Sequence, residues 1–178
     1  MSLNKLLGFT IFILIISCKG DDLILDYCEM LDEDQSHVNH DRSDMVKYIS
    51  DQNLRLSVFK KNFEMIMQKV DESGFPNSSN ITTQDESTNG CIDDAVKMIM
   101  IHTAQSNPEL FFSSKNAKIF KREMDKGNLS RKTIILATNL AVNTIDMCDY
   151  LKPRMDYAMK LWGLTGAIYT DNNFIKCN

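Results

Sequence analysis

The sequence contains little proline and little glycine, three and seven residues respectively in a chain of 178. A sandwich or barrel of many strands needs a turn about every 8–12 residues, and those turns draw on these two residue types. The shortage argues against an all-β fold, and the many Leu, Ile, Met and Lys residues favour helices. We therefore predict an all-α protein, a single domain of about five to six helices that follows an N-terminal signal segment.

The sequence also lacks the motifs of several common kinds of chemistry. It has no glycine-rich phosphate loop, no Gly-x-Ser-x-Gly nucleophile elbow and no Cys-x-x-Cys or Cys/His cluster for zinc. Its net charge of −4 and the absence of a basic stripe argue against binding to nucleic acid. The sequence therefore predicts no cofactor, no metal site and no nucleic-acid partner.

A short apolar run near the N-terminus indicates export. Lys5 precedes it, and residues 6–16 are almost wholly apolar over about eleven positions. A bilayer-spanning helix needs roughly twenty such residues. A positive start, a short apolar core and a small-residue exit are typical of a secretory signal. We assign residues 1–20 to this segment and residues 21–178 to the domain.

Two processing routes are open for the signal segment. Residues 15–18 resemble a lipobox, in which Ser17 admits the peptidase and the sulfur of Cys18 carries the lipid. We predict lipidation of Cys18, with residues 19–22 as a tether, and a place in the cell envelope as an outer-membrane lipoprotein. Two or three acyl chains hold such an anchor firmly, whereas one binds reversibly. In the alternative, cleavage after Gly20 discards Cys18 and releases a secreted extracellular protein.

Cysteine and asparagine positions bear on the same question of compartment. Four cysteines follow the signal segment: Cys28, Cys91, Cys148 and Cys177. In an exported chain this even number permits two disulfides in any of three pairings, and free buried thiols are the alternative. Asn77, Asn80 and Asn128 each begin an Asn-x-Ser/Thr sequence. These would be glycosylation sites in a secreted eukaryotic protein and would have no such meaning in a bacterium.

Apolar residues at three- and four-residue steps predict one long helix from Met45 to Val70, which ends before Gly74 and Pro76. Its predicted apolar stripe consists of Met45, Ile49, Leu56, Phe59, Phe63, Ile66, Met67 and Val70. A short helix is expected over residues 23–31. Residues 32–44 form a polar run, and residues 77–90 are predicted to be a solvated, flexible loop.

The second half of the chain predicts three further helical stretches. Residues 91–104 are apolar nearly all round, with Asp93 and Asp94 in the expected first turn, so this helix should be central to the core. Asn107 and Pro108 begin a stretch that runs, continuously or with a restart, to residue 126. A third begins at Ser130, passes through residue 148 and is broken or kinked at residue 153.

His102 is the candidate catalytic residue. It shares a helix face with Ala95, Met98 and Ile99, and a buried imidazole can act as a general base near neutral pH. The alternative is a core histidine whose hydrogen bond is met by a carboxylate or a carbonyl. A catalytic role requires a carboxylate from residues 32–44 within hydrogen-bond reach of His102, in a cleft.

Several short motifs follow one another in a recognisable order. They are Asp34-Gln35, Asp41-Arg42, Gly74-Phe75-Pro76, the helix with His102, and Asn107-Pro108-Glu109. This order is similar to an uncharacterised family of bacterial envelope domains. The resemblance spans about residues 32–127 and implies a fold and a compartment, without a reaction. Ile101 stands where that family usually has Gln, and residues 161–166 are the nearest match to its closing Tyr-Gly-Thr-Gln-like stretch.

Together these features predict an exported, lipid-anchored protein of a bacterial envelope with a binding or structural role and no catalysis. Its expected partners are the membrane, through the lipid, and an unknown protein or a small apolar ligand held among methionine-rich helix faces. One alternative is a secreted eukaryotic helical effector or cytokine-like ligand with two disulfides. Another is an envelope enzyme that uses His102.

Overall fold

Helices form most of the structure, as the composition predicts. A computed structural model describes residues 21–36, 45–79, 86–144, 147–164 and 174–177. Its α-helices are α1 (Asp21–Ser36), α2 (Met45–Ser73), α3 (Glu86–Ser106), α4 (Pro108–Phe111), α5 (Ser114–Lys126), α6 (Arg131–Thr144) and α7 (Lys152–Trp162). The prediction of an all-α single domain is confirmed. The described ranges hold seven α-helices, more than the expected five to six, because α4 is a separate short helix.

A small parallel sheet accompanies the helices. β1 (Met147–Cys148) pairs with β2 (Phe174–Ile175), and a 3₁₀ turn at Asp149–Leu151 joins β1 to α7. The sheet places the end of the described chain beside the start of α7.

The core is built around α3, which packs against α1, α2, α4 and α6, while α5 packs on α7. Ile92, Ile99 and Met100 of α3 are fully buried, which confirms that this helix is central.

A second group of core residues is aromatic. The Phe111 ring lies 5.2 Å from that of Phe120 and 6.3 Å from that of Trp162. Such ring pairs contribute stability in addition to that gained by burying their apolar surface.

Several helix ends follow the residues that predict them. The Asn107 side chain accepts a hydrogen bond from the Leu110 backbone N–H at 3.2 Å, with Pro108 in the first turn of α4. Gly127 ends α5 at φ 80°, a left-handed conformation that glycine adopts without steric cost. Gly74 follows α2 at φ 84°. These caps satisfy backbone groups that a helix end leaves without partners.

Other boundaries differ from the prediction. α1 extends from Asp21 to Ser36, so it takes in residues assigned to the tether and the start of the polar run. α3 begins at Glu86, within the predicted loop, and Asp93 therefore lies beyond its first turn. Asp93 accepts hydrogen bonds from the backbone N–H and the hydroxyl of Ser78, so its carboxylate holds the segment after α2 instead of lying at the start of α3.

The predicted helix through residue 148 is shorter than expected. α6 ends at Thr144, and Cys148 lies in β1. Pro153 neither breaks nor kinks a helix, because it lies in the first turn of α7, where its missing N–H leaves no hydrogen bond unmade. In α2, Leu56 is 45% exposed and does not belong to the buried stripe.

Two disulfides join distant parts of the chain. Cys28 of α1 is bonded to Cys91 of α3, and Cys148 of β1 is bonded to Cys177, just after β2. The expectation of disulfides is confirmed, and the structure selects one of the three pairings. None of the helices in the described ranges combines the length and the apolarity that crossing a bilayer requires.

Candidate functional site

The structure brings His102 of α3 into contact with Asp34 of α1. The Nδ1 atom of His102 lies 2.6 Å from Oδ2 of Asp34, and both residues are buried. The two side chains come from motifs that are 68 positions apart. The carboxylate within residues 32–44 that a catalytic His102 requires is therefore present. The same contact equally fits a core histidine satisfied by a carboxylate.

The neighbours of His102 fix the orientation of its ring. Phe59 of α2 stacks on the imidazole with ring centroids 4.5 Å apart and planes inclined by 27°. The guanidinium of Arg55 lies 5.0 Å from the centroid of the Phe59 ring. α2 thus covers one side of the pair that α1 and α3 form.

This arrangement commits one ring nitrogen and leaves the other for a reactant. Because Asp34 holds Nδ1, the nitrogen left for a general base or a nucleophile is Nε2. The His102 side chain is 11% accessible to solvent, whereas that of Asp34 is wholly enclosed. The other oxygen of Asp34, Oδ1, is buried and has no hydrogen-bond partner in the described structure. A buried acceptor without a donor costs free energy, so such an atom is a candidate contact for a water, a ligand or a reacting group.

Glu123 of α5 is also a buried acid, but it is fully satisfied. Its carboxylate accepts hydrogen bonds from the Phe75 backbone N–H, Asn128, Arg122 and Lys126. Burial raises the pKa of Glu123, but the four donors lower it by more than burial raises it. The net result is a pKa of about 2, below the ordinary 4.5. Glu123 therefore ties the turn after α2 to the end of α5, which is a structural role.

A half-open groove of about 460 Å³ lies between α1 and α2. Its floor includes Asn62, which is fully buried and whose amide nitrogen donates to the Met30 carbonyl at 3.2 Å. The amide oxygen of Asn62 is buried without a partner in the described structure. Glu29 and Asp32 contribute carboxylates to the walls. His102 does not line this groove, so the pair and the groove are separate features.

Some predicted site residues fall outside the described structure. These are Cys18 with the rest of the signal segment, the polar residues 37–44, and Asn80. Asn77 and Asn128 are described, and their amide nitrogens are engaged inside the protein. Asn77 donates to the Asn128 carbonyl at 3.0 Å, and Asn128 donates to Glu123 at 2.9 Å.

Asn62 and Glu123 were missed at the level of sequence, although a signal for each exists. Asn62 interrupts the apolar stripe of α2 between Phe59 and Phe63, and Glu123 lies three residues after buried Phe120 on the inner face of α5. A polar residue at an apolar position of a helical period is a candidate for a buried polar contact.

No group of three or more His, Cys, Asp or Glu residues in the described ranges is arranged to hold a metal ion. Comparison with family models, with curated proteins and with solved structures finds no match to this chain. The resemblance to bacterial envelope domains therefore stays a prediction.

Proposed function

We propose that the protein is exported to a bacterial cell envelope, is held at the outer membrane by lipid on Cys18, and acts as a binding module. Two disulfides support export, because such bonds persist in oxidising compartments and are rare in the cytosol. The observation that carries the binding role is the α1–α2 groove of about 460 Å³, whose lining combines carboxylate and methionine side chains. Binding sites are typically concave and offer a few placed polar groups.

The bacterial assignment is favoured over the secreted eukaryotic effector by two of the Asn-x-Ser/Thr sequences. A glycan attaches to the amide nitrogen of the asparagine. The amide nitrogens of Asn77 and Asn128 already donate hydrogen bonds to groups within the fold. Glycosylation would replace one of the two amide hydrogens and place a bulky sugar at these half-buried contacts, so a structural role in the fold is the better account of both residues.

The anchor is tested by mass spectrometry of the mature N-terminus, on protein taken from the membrane fraction of its source cell. A diacylated or triacylated peptide that begins at Cys18 is the expected result. A mature chain that begins with an unmodified Asp21 contradicts the anchor. A Cys18→Ser variant provides the matched control, since it should lose the lipid and leave the membrane fraction.

A second candidate function, an envelope enzyme, is favoured by one observation. His102 Nδ1 lies 2.6 Å from a carboxylate that is buried and has one oxygen unsatisfied in the described structure. An aspartate in this position holds the imidazole in the tautomer whose Nε2 accepts a proton, and it stabilises the imidazolium that results. In hydrolysis of an acyl compound, Nε2 would take a proton from water while the water oxygen attacks the acyl carbon, and the imidazolium would give that proton to the leaving group as its bond to the acyl carbon breaks.

The reactivity of Nε2 is tested with p-nitrophenyl acetate. Nε2 would attack the acyl carbon and release p-nitrophenolate, and water would then hydrolyse the acyl-imidazole. We expect faster release than with His102→Gln or Asp34→Asn, and a Glu64→Gln variant on exposed α2 should match the parent. Equal rates for the parent and His102→Gln would remove the enzyme candidate and leave the binding module in place.

A further inference from the structure

We infer that the exposed face of α5 contacts an anionic lipid bilayer, and this inference rests on the proposed lipid anchor, which brings the protein to a membrane. The charged residues are divided unevenly along the chain. Residues 21–112 contain 18 Asp and Glu against seven Lys and Arg, whereas residues 113–178 contain six against 11. Such an asymmetry between two parts of a chain indicates an interaction with a membrane or a nucleic acid.

The outer side of α5 presents a row of positive charges. Lys115, Lys118, Arg122 and Lys126 recur at steps of three and four residues, so they lie on one side of the helix over about 17 Å. All four are exposed, whereas the opposite side, with Phe120, is buried. We call the exposed side the cationic face. Apolar and acidic residues separate its cations in the sequence, so the basic stripe forms only on the folded helix.

The fold neutralises this positive charge only in part. Arg122 and Lys126 share one carboxylate, that of Glu123, at 2.6 and 3.2 Å. Lys115 and Lys118 form no ion pair or hydrogen bond with another residue in the part of the chain that the structure describes. The cationic face therefore retains positive charge that is available to an anionic partner.

The composition of the cationic face fits lipid headgroups better than a protein. All exposed residues of α5 are polar, and its exposed acid, Asp125, pairs with Lys121. Protein interfaces instead concentrate aromatic residues and methionine and contain few lysines. Beside an anionic bilayer, each Lys or Arg strengthens the attraction about fivefold. Export, which the two disulfides support, takes the protein away from nucleic acid.

The proposed anchor would keep the domain close to the bilayer. Cys18 precedes the start of α1 at Asp21 by three residues, which span at most about 11 Å of extended chain. This length is comparable to the Debye length of about 8 Å at physiological salt. An anionic bilayer repels the acidic part of the molecule and attracts the cationic face, so it would turn α5 toward the membrane. A lipid together with basic residues anchors a protein more firmly than one acyl chain alone.

The experiment measures co-sedimentation with phospholipid vesicles of the chain from Asp21 to Asn178, with both disulfides formed. This chain contains every described helix and carries no lipid, so the result does not depend on acylation of Cys18. We expect binding to vesicles of mixed phosphatidylglycerol and phosphatidylcholine, no binding to phosphatidylcholine alone, and weaker binding as the salt concentration rises. Equal binding to both kinds of vesicle would overturn the inference, because it would not depend on charge.

The double variant Lys115→Gln, Lys118→Gln should bind the phosphatidylglycerol vesicles about ten- to thirtyfold more weakly. Lys60→Gln with Lys97→Gln removes the same charge from exposed positions of α2 and α3 and should bind like the parent. Equal weakening in both variants would contradict the inference, because it would indicate an effect of net charge. Binding to soluble polyglutamate without binding to vesicles would also contradict it and would indicate an acidic protein partner. Absence of any binding overturns this inference alone, because acylation of Cys18 is measured separately by the mass of the mature N-terminus.

Discussion

At the scale of single residues, two buried acids show how burial can serve different purposes. Glu123 meets four donors, whereas Asp34 meets His102 and Gln35 through a single oxygen and leaves the other without a partner in the described structure. A buried carboxylate is stable only where its charge is compensated. The complete set of donors explains Glu123 as part of the fold. The incomplete set at Asp34 is the reason to look for function there.

The donors around Glu123 predict how stability depends on pH. Its pKa is about 2 in the folded protein and 4.5 as its ordinary value, so the unfolded chain binds a proton first as the pH falls. The contribution of Glu123 is therefore complete above pH 4.5 and is lost progressively toward pH 2. We expect this loss to amount to about 3 kcal/mol of the free energy of unfolding. Urea unfolding at a series of pH values measures it.

Glu123→Gln separates this contribution from the other carboxylates. The variant should be less stable than the parent by about 3 kcal/mol at pH 7 and should lose less stability between pH 4.5 and 2. Glu64→Gln, at an exposed i,i+4 pair with Lys60, changes the same chemical group on the surface and should leave the stability nearly unchanged. An acid-dependent loss of equal size in Glu123→Gln and the parent would contradict the assignment.

At the scale of elements, the turn after α2 depends on a glycine for two reasons. Gly74 has φ 84°, and a Cβ there would lie 2.9 Å from the Asn128 amide nitrogen and 3.2 Å from a Glu123 oxygen. Gly127 has a similar φ of 80°, but a Cβ there would meet nothing within 4 Å. The pair therefore separates backbone strain from side-chain crowding.

We expect Gly127→Ala to cost about 1 kcal/mol, the cost of the left-handed conformation in a residue with a Cβ. Gly74→Ala should cost more, about 2–4 kcal/mol, because it also displaces the hydrogen bond between Asn128 and Glu123. Thermal and urea unfolding of the two variants measure both values. An equal loss of stability in the two variants would show that the Asn128–Glu123 hydrogen bond adjusts to the added methyl group without a loss of free energy.

The elements that sequence predicts well are those set by local periodicity and by caps. The long helix α2 and the ends at Asn107 and Gly127 are of this kind. The errors occur where tertiary contacts decide. Asp93 accepts a hydrogen bond from the Ser78 backbone, and Pro153 lies in the first turn of α7 because the segment before that helix pairs with β2.

The candidate site was predictable in part. His102 was identified by its place on an apolar helix, and the need for a carboxylate from residues 32–44 followed from its chemistry. Which carboxylate it would be depends on the packing of α1 against α3, which periodicity does not determine. Predicting the role of Asn62 also requires the helix packing, because the contact of its amide nitrogen with the Met30 carbonyl is what leaves its amide oxygen without a partner in the described structure.

At the scale of the whole molecule, the two disulfides stabilise different parts of the fold. Cys28–Cys91 links α1 to α3, the two helices that carry Asp34 and His102, across a sequence separation of 63. Cys148–Cys177 closes a separation of 29 and holds the short sheet. Cross-links of these lengths restrict the unfolded chain and are each worth about 4 kcal/mol in the chain-entropy model.

Removal of each disulfide should therefore give a similar loss of stability and a different local effect. We expect Cys28→Ser with Cys91→Ser to lower the free energy of unfolding by about 4 kcal/mol and to speed hydrogen exchange of α1 amides, because α1 then opens without the rest of the fold. Cys148→Ser with Cys177→Ser should cost about as much and speed exchange around β2, with α1 protected relative to the first variant. Mass-spectrometric exchange at matched stability measures both patterns. If hydrogen exchange in the first variant were accelerated uniformly across the chain, α1 would unfold only together with the whole domain. The Asp34–His102 pair would then not depend on the Cys28–Cys91 bond for its local stability.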